Sequence, residues 1–184
     1  MPLKLVTSNE FKIKEFKRFG LDVEITKGAD LPEVLGTPLE VVTYKALDAG
    51  VDCMVEDTIL TINGKEVVDI KARIDELTNL SDASAVWTTS VAVNTGTKVI
   101  TAYACTVGKI GIPAIPTVGS FGFDAYFYPD NANDLSLHQL ELNGTKDDFS
   151  ARKRCIEVFM TGSEGYKETA LSDIPKWTGE YQNV

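Results

Sequence analysis

Thr37-Pro38-Leu39-Glu40 is the stretch of this 184-residue chain that leaves the backbone least choice. A Thr at a helix N-cap accepts a backbone N–H from the third helical residue, and a Glu at that third position reaches back to the cap. Pro at the first helical position surrenders no intrahelical hydrogen bond there. Leu39, Val42, Ala46 and Ala49 follow at near-helical spacing and Gly50 supplies the stop, so a helix is predicted between Thr37 and Gly50. Cys53-Met54-Val55 then reads as a short buried strand that ends on Glu56-Asp57. The start of the chain has the same ingredients in the other order. Leu3-Lys4-Leu5-Val6 is a strand running into the polar turn Thr7-Ser8-Asn9, where Ser8 or Asn9 caps a helix carrying Phe11, Phe16 and Phe19.

Farther along, strands pair with strands. Ile59 to Ile62 and Lys65 to Val68 flank Asn63-Gly64, a two-residue hairpin turn in which both positions tolerate positive φ. Ile70, Ile74 and Leu77 suggest a short helix. Ala85–Val93 and Val99–Val107, joined by Asn94-Thr95-Gly96, read as two long antiparallel strands, and residues 108–133 as an aromatic-rich loop. A last helix is predicted from about Asp147 to Met160, with Phe149, Ile156 and Phe159 as its apolar stripe. The class is therefore α/β with a mixed sheet: one domain over residues 1–160 and a less regular C-terminal extension over 161–184.

The formal charge is −9, from 18 Lys+Arg against 27 Asp+Glu, so nucleic acid and anionic membranes are excluded as expected partners, while a local basic pocket for a small anion is still allowed. No apolar run approaches a membrane span, and the first residues lack a signal-peptide layout, which places the chain in the cytoplasm. Cys53, Cys105 and Cys155 are odd in number and widely spaced, against both a disulfide framework and a zinc site.

In an open α/β sheet, ligands sit beyond the carboxyl ends of strands, where both Thr7-Ser8-Asn9 and Glu56-Asp57 fall. A helix N-terminus presents unpaired N–H groups to a phosphate, and the cations Lys12 and Lys14 lie in or near that first turn, where only a bound anion would favour them; the alternative is that they reach into solvent. Glu33, Glu56 and Asp57 can supply oxygen ligands to magnesium, or form a solvated acidic loop. Lys12, Lys45 and Lys71 fall in neighbouring motifs, so cations for phosphate and anions for metal are both at hand, as metal-assisted attack of water on a polyphosphate requires.

Together these residues resemble the inosine/xanthosine triphosphate pyrophosphatase family, also called the Ham1 family. The resemblance runs through Thr7-Ser8-Asn9-Glu10-Phe11-Lys12, Leu31-Pro32-Glu33 with Gly36, Lys45-Ala46 and Glu56-Asp57-Thr58. It continues in Phe121-Gly122-Phe123-Asp124 with Phe127 and Pro129, and in Lys146 with Ser150-Ala151-Arg152, so it covers roughly residues 3–156. It implies a mixed twisted sheet with flanking helices and a central substrate cleft, and a magnesium-dependent homodimer. The implied reaction cleaves a nucleoside triphosphate between its α and β phosphates. Carried over by position, Thr7, Asn9 and Lys12 would hold the triphosphate, with Ser8 and Thr58 among the substrate-binding residues, Lys45 and Lys71 would neutralise its charge, and Glu33, Glu56 and Asp57 would hold magnesium. Asp57 would also activate water, with Lys12 and Lys45 beside it as catalytic cations. Phe123 would stack on the base, Asp124 would bond the base or its neighbours, and Lys146 and Arg152 would reach base and phosphates, with Phe121, Gly122 and Ser150 among the substrate-binding residues.

The chain departs from the family pattern at three places. Ser8 stands for a Gly, Lys65-Glu66 for a Pro-Gly after the hairpin turn, and Ala151 for the His of a Ser-His-Arg triplet that helps read a purine keto group. The last change puts base preference in question. A nucleotide-binding or sensing protein without turnover, on the same scaffold, is the competing reading. Maf-type pyrophosphatases share the scaffold but open on a Ser/Arg-rich turn that Thr7-Ser8-Asn9-Glu10 does not resemble. His138, without a Ser or Cys nucleophile motif, reads as a surface or hydrogen-bonded structural histidine, and Trp87 as core or dimer packing. The extension, with Trp177 and Tyr181, reads equally as a surface strap or an oligomer contact.

Overall fold

The capping box forms as its sequence demands. In the computed structural model, which describes residues 2–28, 30–67 and 70–182, the Thr37 backbone N–H donates to Glu40 Oε1 at 3.0 Å and the Glu40 N–H donates to Thr37 Oγ1 at 3.2 Å. The helix it starts, α2, spans Pro38–Ala49 and closes on Gly50, whose φ of 98° suits a residue without Cβ. The other main elements are β1 (Leu3–Val6), α1 (Glu10–Arg18), β2 (Val23–Thr26), β3 (Cys53–Ile62), β4 (Lys65–Glu66), β5 (Ser84–Asn94), β6 (Lys98–Ile110), β7 (Phe127–Pro129), α3 (Leu137–Leu142), α4 (Ala151–Thr161) and β8 (Lys167–Ala170). The sheet is mixed, in the order β2-β1-β3-β5-β6-β7 with β4 on β3 and β8 on β6; β1 pairs in parallel with β2 and β3, while β7 and β8 lie antiparallel to β6. The class is α/β with helices flanking an open sheet, as the sequence predicts.

The chain divides into two units: residues 1–57, 89–104 and 152–184 form the first, and residues 58–88 and 105–151 the second. In the first unit, alternation along the strands sorts side chains to two faces. Met54, Val91 and Val93 pack with Leu5, Phe16 of α1, and Cys155 and Ile156 of α4, whereas Val55, Ala92 and Val99 pack with Val42 and Ala46 of α2. Each fully buried Val, Leu, Ile, Met or Phe among these contributes roughly 1.5–3 kcal/mol. In the second unit, Leu60, Ile62, Trp87, Ile110 and Phe127 close a core with Leu77, Leu137 and Leu140.

Several expectations change. β3 does not end on Glu56-Asp57 but continues to Ile62, because Thr58, Ile59 and Thr61 are β-branched and extend the strand past the acids. Asn63-Gly64 makes the turn with φ of 50° and 78°, yet β4 is only two residues long, and Val68 lies outside the described residues. The helix predicted around Ile70–Leu77 is a pair of 3₁₀ helices, Ile70–Ala72 and Ile74–Leu80. The aromatic-rich loop contains β7, paired to Gly108–Ile110, where a Cβ on Gly108 would collide with the Tyr128 carbonyl oxygen. The last helix starts at Ala151, not Asp147, with Lys146–Asp148 as a separate 3₁₀ turn. β2, α3 and β8 were not anticipated, although Ser136 and Gln139 form a capping box visible in the sequence. Among the described residues no helix is long and apolar enough to cross a membrane.

Candidate active site

In the first unit, the turn between β1 and α1 uses Asn9 as the helix cap: its Oδ1 accepts the N–H groups of Phe11 at 3.0 Å and Lys12 at 3.2 Å. The Asn9 N–H donates in turn to Thr7 Oγ1 at 3.1 Å. Ser8 is not among the non-glycine residues with positive φ, so replacing the family glycine introduces no backbone strain there. Of the two lysines at the start of α1, Lys14 is exposed, while Lys12 is half-buried and its Nζ lies 2.8 Å from Glu56 Oε2. The solvated reading therefore holds for Lys14 and fails for Lys12.

Lys12 joins a charged cluster. Lys45 of α2 donates to Glu33 Oε1 at 3.2 Å and to the Glu56 carbonyl oxygen at 3.3 Å. Arg152, almost fully buried at the start of α4, donates from Nη1 to Glu15 Oε1 at 2.7 Å, and its Nη2 lies 3.7 Å from Glu56 Oε1. Asp57 completes the group. Burial, reinforced by repulsion from Glu56 and Glu33 and opposed by Lys45 and Lys12, pushes its carboxyl from an ordinary 3.8 up to about 7. The cluster thus sets four acids, Glu15, Glu33, Glu56 and Asp57, against three bases, Lys12, Lys45 and Arg152. Ionising Asp57 leaves one negative charge in excess, which a bound cation would relieve.

Among the described residues no three or more His, Cys, Asp or Glu side chains converge tightly enough to enclose a metal. Magnesium needs no such cage: it typically takes one or two carboxylates together with substrate phosphates and water. The single negative charge in excess across the cluster suits a cation held in that way, with Glu33, Glu56 and Asp57 as the carboxylates from which one or two oxygens could come.

The second unit carries the remaining predicted residues. Lys146, in the 3₁₀ turn before α4, is 1% exposed and donates to Asp124 Oδ2 at 2.6 Å. Its ammonium lies 5.1 Å from the Phe121 ring centroid and 5.6 Å from that of Trp87, a desolvated cation between two aromatic faces. Gly122, which follows Phe121 in the chain, has φ of 52°, which disfavours any residue with a side chain. Phe123 is buried, edge-on to Trp87 at 6.2 Å and 5.9 Å from Phe127. Ser150 is buried, Thr58 half-buried and Lys71 exposed. Ala151 is fully buried in the apolar cluster and presents only a methyl group where the family has an imidazole. His138 is buried and donates its backbone N–H to the Asp124 carbonyl, consistent with a structural histidine, and Trp87 is core.

Glu15 was missed from the sequence. It sits on α1 next to Phe16, on the side that turns inward, and an acid beside an apolar stripe with an arginine far along the chain is its only signal.

Comparison with known proteins agrees with the resemblance. The model of the Ham1 family matches residues 3–161, ending in α4 and leaving the C-terminal extension outside. No match to a curated protein was found. A match over most of its length settles the kinship of the chain: it belongs to the Ham1 family.

Proposed function

We propose that this protein hydrolyses a nucleoside triphosphate, one carrying a non-standard base, to the monophosphate and pyrophosphate, as a magnesium-dependent homodimer that clears such nucleotides from the pool. Membership of the Ham1 family supports a pyrophosphatase, and the observation that carries the reading is Asp57. Without a cation, burial and two further acids push its carboxyl up to about 7, and two lysines beside it favour the carboxylate that must accept a water proton. In this reading Asp57 orients a water molecule and takes its proton as the water oxygen bonds to phosphorus, the α–β anhydride P–O bond breaks and pyrophosphate leaves. Thr7, Ser8, Asn9 and Lys12 hold phosphate oxygens at the start of α1, and Lys45 offsets their charge. Glu33, Glu56 and Asp57 would hold magnesium, which when bound supplies further positive charge to those oxygens. Phe121, Gly122, Phe123, Asp124, Lys146, Ser150 and Arg152, with Thr58 and Lys71, complete the proposed substrate residues. The methyl group of Ala151 supports altered base selection, since it can donate nothing to a keto oxygen.

The test is pyrophosphate release from a panel of common, deaminated and modified ribo- and deoxynucleoside triphosphates, with magnesium and with chelator. Magnesium-dependent release that disappears in Asp57→Asn is the expected result. Tight nucleotide binding without release would refute the enzyme and favour the sensing protein.

A further inference from the structure

The family match stops at Thr161, yet the segment beyond it is folded onto the loop that carries Glu33. Val34 and Tyr181 form an antiparallel bridge, and the backbone around them is tied on both sides. The Gln182 N–H donates to the Glu33 carbonyl at 2.8 Å, Gln182 Nε2 donates to the Val34 carbonyl at 3.0 Å, and the Leu35 N–H donates to the Glu180 carbonyl at 2.9 Å. Three successive residues of the Glu33 loop are therefore held by three successive residues of the extension.

The far side of the extension is anchored on α2. Tyr44, next to the Lys45 that pairs with Glu33, donates its hydroxyl to the Pro175 carbonyl at 2.6 Å, and its ring lies 5.1 Å from that of Trp177. Trp177 Nε1 donates to the Glu180 carbonyl at 3.0 Å, the residue that receives Leu35. A Cβ on Gly36 would sit 3.2 Å from Trp177 Cη2, so the indole lies directly against the loop's end. Leu171 and Ile174 pack beside Val42 and Ala46 of the same helix. One segment thus clips the Glu33 loop to the helix that bears Lys45.

We propose that residues 171–182 are a positioning strap, anchored by Trp177, that holds the Glu33 carboxylate in place for cation binding. The physical need is entropic: a glutamate on a loop loses backbone and side-chain freedom when it engages an ion, and a preformed loop removes much of that cost. The strap is not itself a ligand; it acts through Glu33. This inference rests on the reading of Glu33 as a cation ligand.

The test measures Mn²⁺ binding by the electron paramagnetic resonance of unbound Mn²⁺, with hydrogen exchange across residues 33–36, on the full chain and its variants. Trp177→Ala removes the anchor, and Gln182→Pro removes a donor at the edge of the fold without touching the core. Each is expected to weaken Mn²⁺ binding by about 10-fold or more, as loss of outer partners of metal ligands does. Exchange at Leu35 should rise while α2 stays protected, and Trp177→Phe should restore most of the affinity. Combined with Glu33→Gln, neither variant should weaken binding beyond Glu33→Gln alone, because both act through the same carboxylate. Wild-type affinity in Gln182→Pro and Trp177→Ala while Glu33→Gln binds weakly would overturn the strap alone, as would additive losses in the double variants. Wild-type affinity in Glu33→Gln itself would overturn Glu33 as a ligand and the strap with it.

Discussion

Replacing Asp57 by Asn should inactivate the protein and yet stabilise it. Folding raises the Asp57 carboxyl from 3.8 to about 7, so the unfolded chain releases this proton at lower pH than the folded one. The sign follows: below about pH 4 both states hold the proton and nothing is lost, between about pH 4 and 7 stability falls as pH rises, and above about pH 7 the loss is complete. At roughly 1.4 kcal/mol per pH unit, ionised Asp57 costs the folded protein about 1–2 kcal/mol near pH 5 and about 4 kcal/mol near pH 8. Asparagine nearly matches the carboxyl in shape and carries no charge, so the variant escapes this penalty. Urea denaturation of both proteins in chelator, at about pH 5 and about pH 8, isolates the effect, because titrations of groups away from Asp57 cancel in the difference. The advantage of Asp57→Asn should widen by about 2–3 kcal/mol between the two pH values. Saturating magnesium should shrink it, since a cation stabilises the ionised carboxylate only in the wild type. A variant no more stable than wild type near pH 8, or an advantage that does not change with pH, would refute the burial and repulsion argument.

Three further outcomes test other parts of the molecule. Lys45→Ala removes the leading cation that lowers the Asp57 carboxyl, so the acidic limb of the pH profile of pyrophosphate release should move to higher pH at fixed magnesium; an unmoved limb would disconnect Lys45 from Asp57. Lys146→Met leaves Asp124 buried without its 2.6 Å partner and should cost about 3–5 kcal/mol in urea denaturation, partly recovered by adding Asp124→Asn. A loss under about 1 kcal/mol would mean that the pair is worth no more than a surface ion pair. Phe123→Ala empties a site between Trp87 and Phe127 and should destabilise by about 3–5 kcal/mol, with Phe121→Ala milder because Phe121 is only half-buried.

Much of the local structure was legible because its signals are short-range. Thr37 to Gly50 carries cap, proline, stripe and stop within fourteen positions, and each acts on backbone groups a few residues away. Asn63-Gly64 likewise dictates its own turn. β7 escaped notice because three residues are too few for a periodic pattern, and β2 because, unlike Leu3–Val6, its four residues run into no helix cap that marks their end. Glu56-Asp57 misled for a related reason: two acids look like a strand's end, but a strand is set by its neighbours in the sheet, and the chain continues to Ile62.

The residue types of the candidate site were likewise legible, since phosphate and metal chemistry call for lysines, carboxylates and a helix start in recognisable order. Their energetics were not. Arg152 meets Glu15 across 137 positions, Asp57 titrates near neutrality because of burial and the acids gathered round it, and Glu33 is held by a segment beyond the family match. Such properties depend on which distant groups the folded chain brings within a few ångströms and on how much water it removes from them. Capping and periodicity act along the chain and can be read from it; desolvation and long-range pairing arise only when the sheet and helices close around the charges.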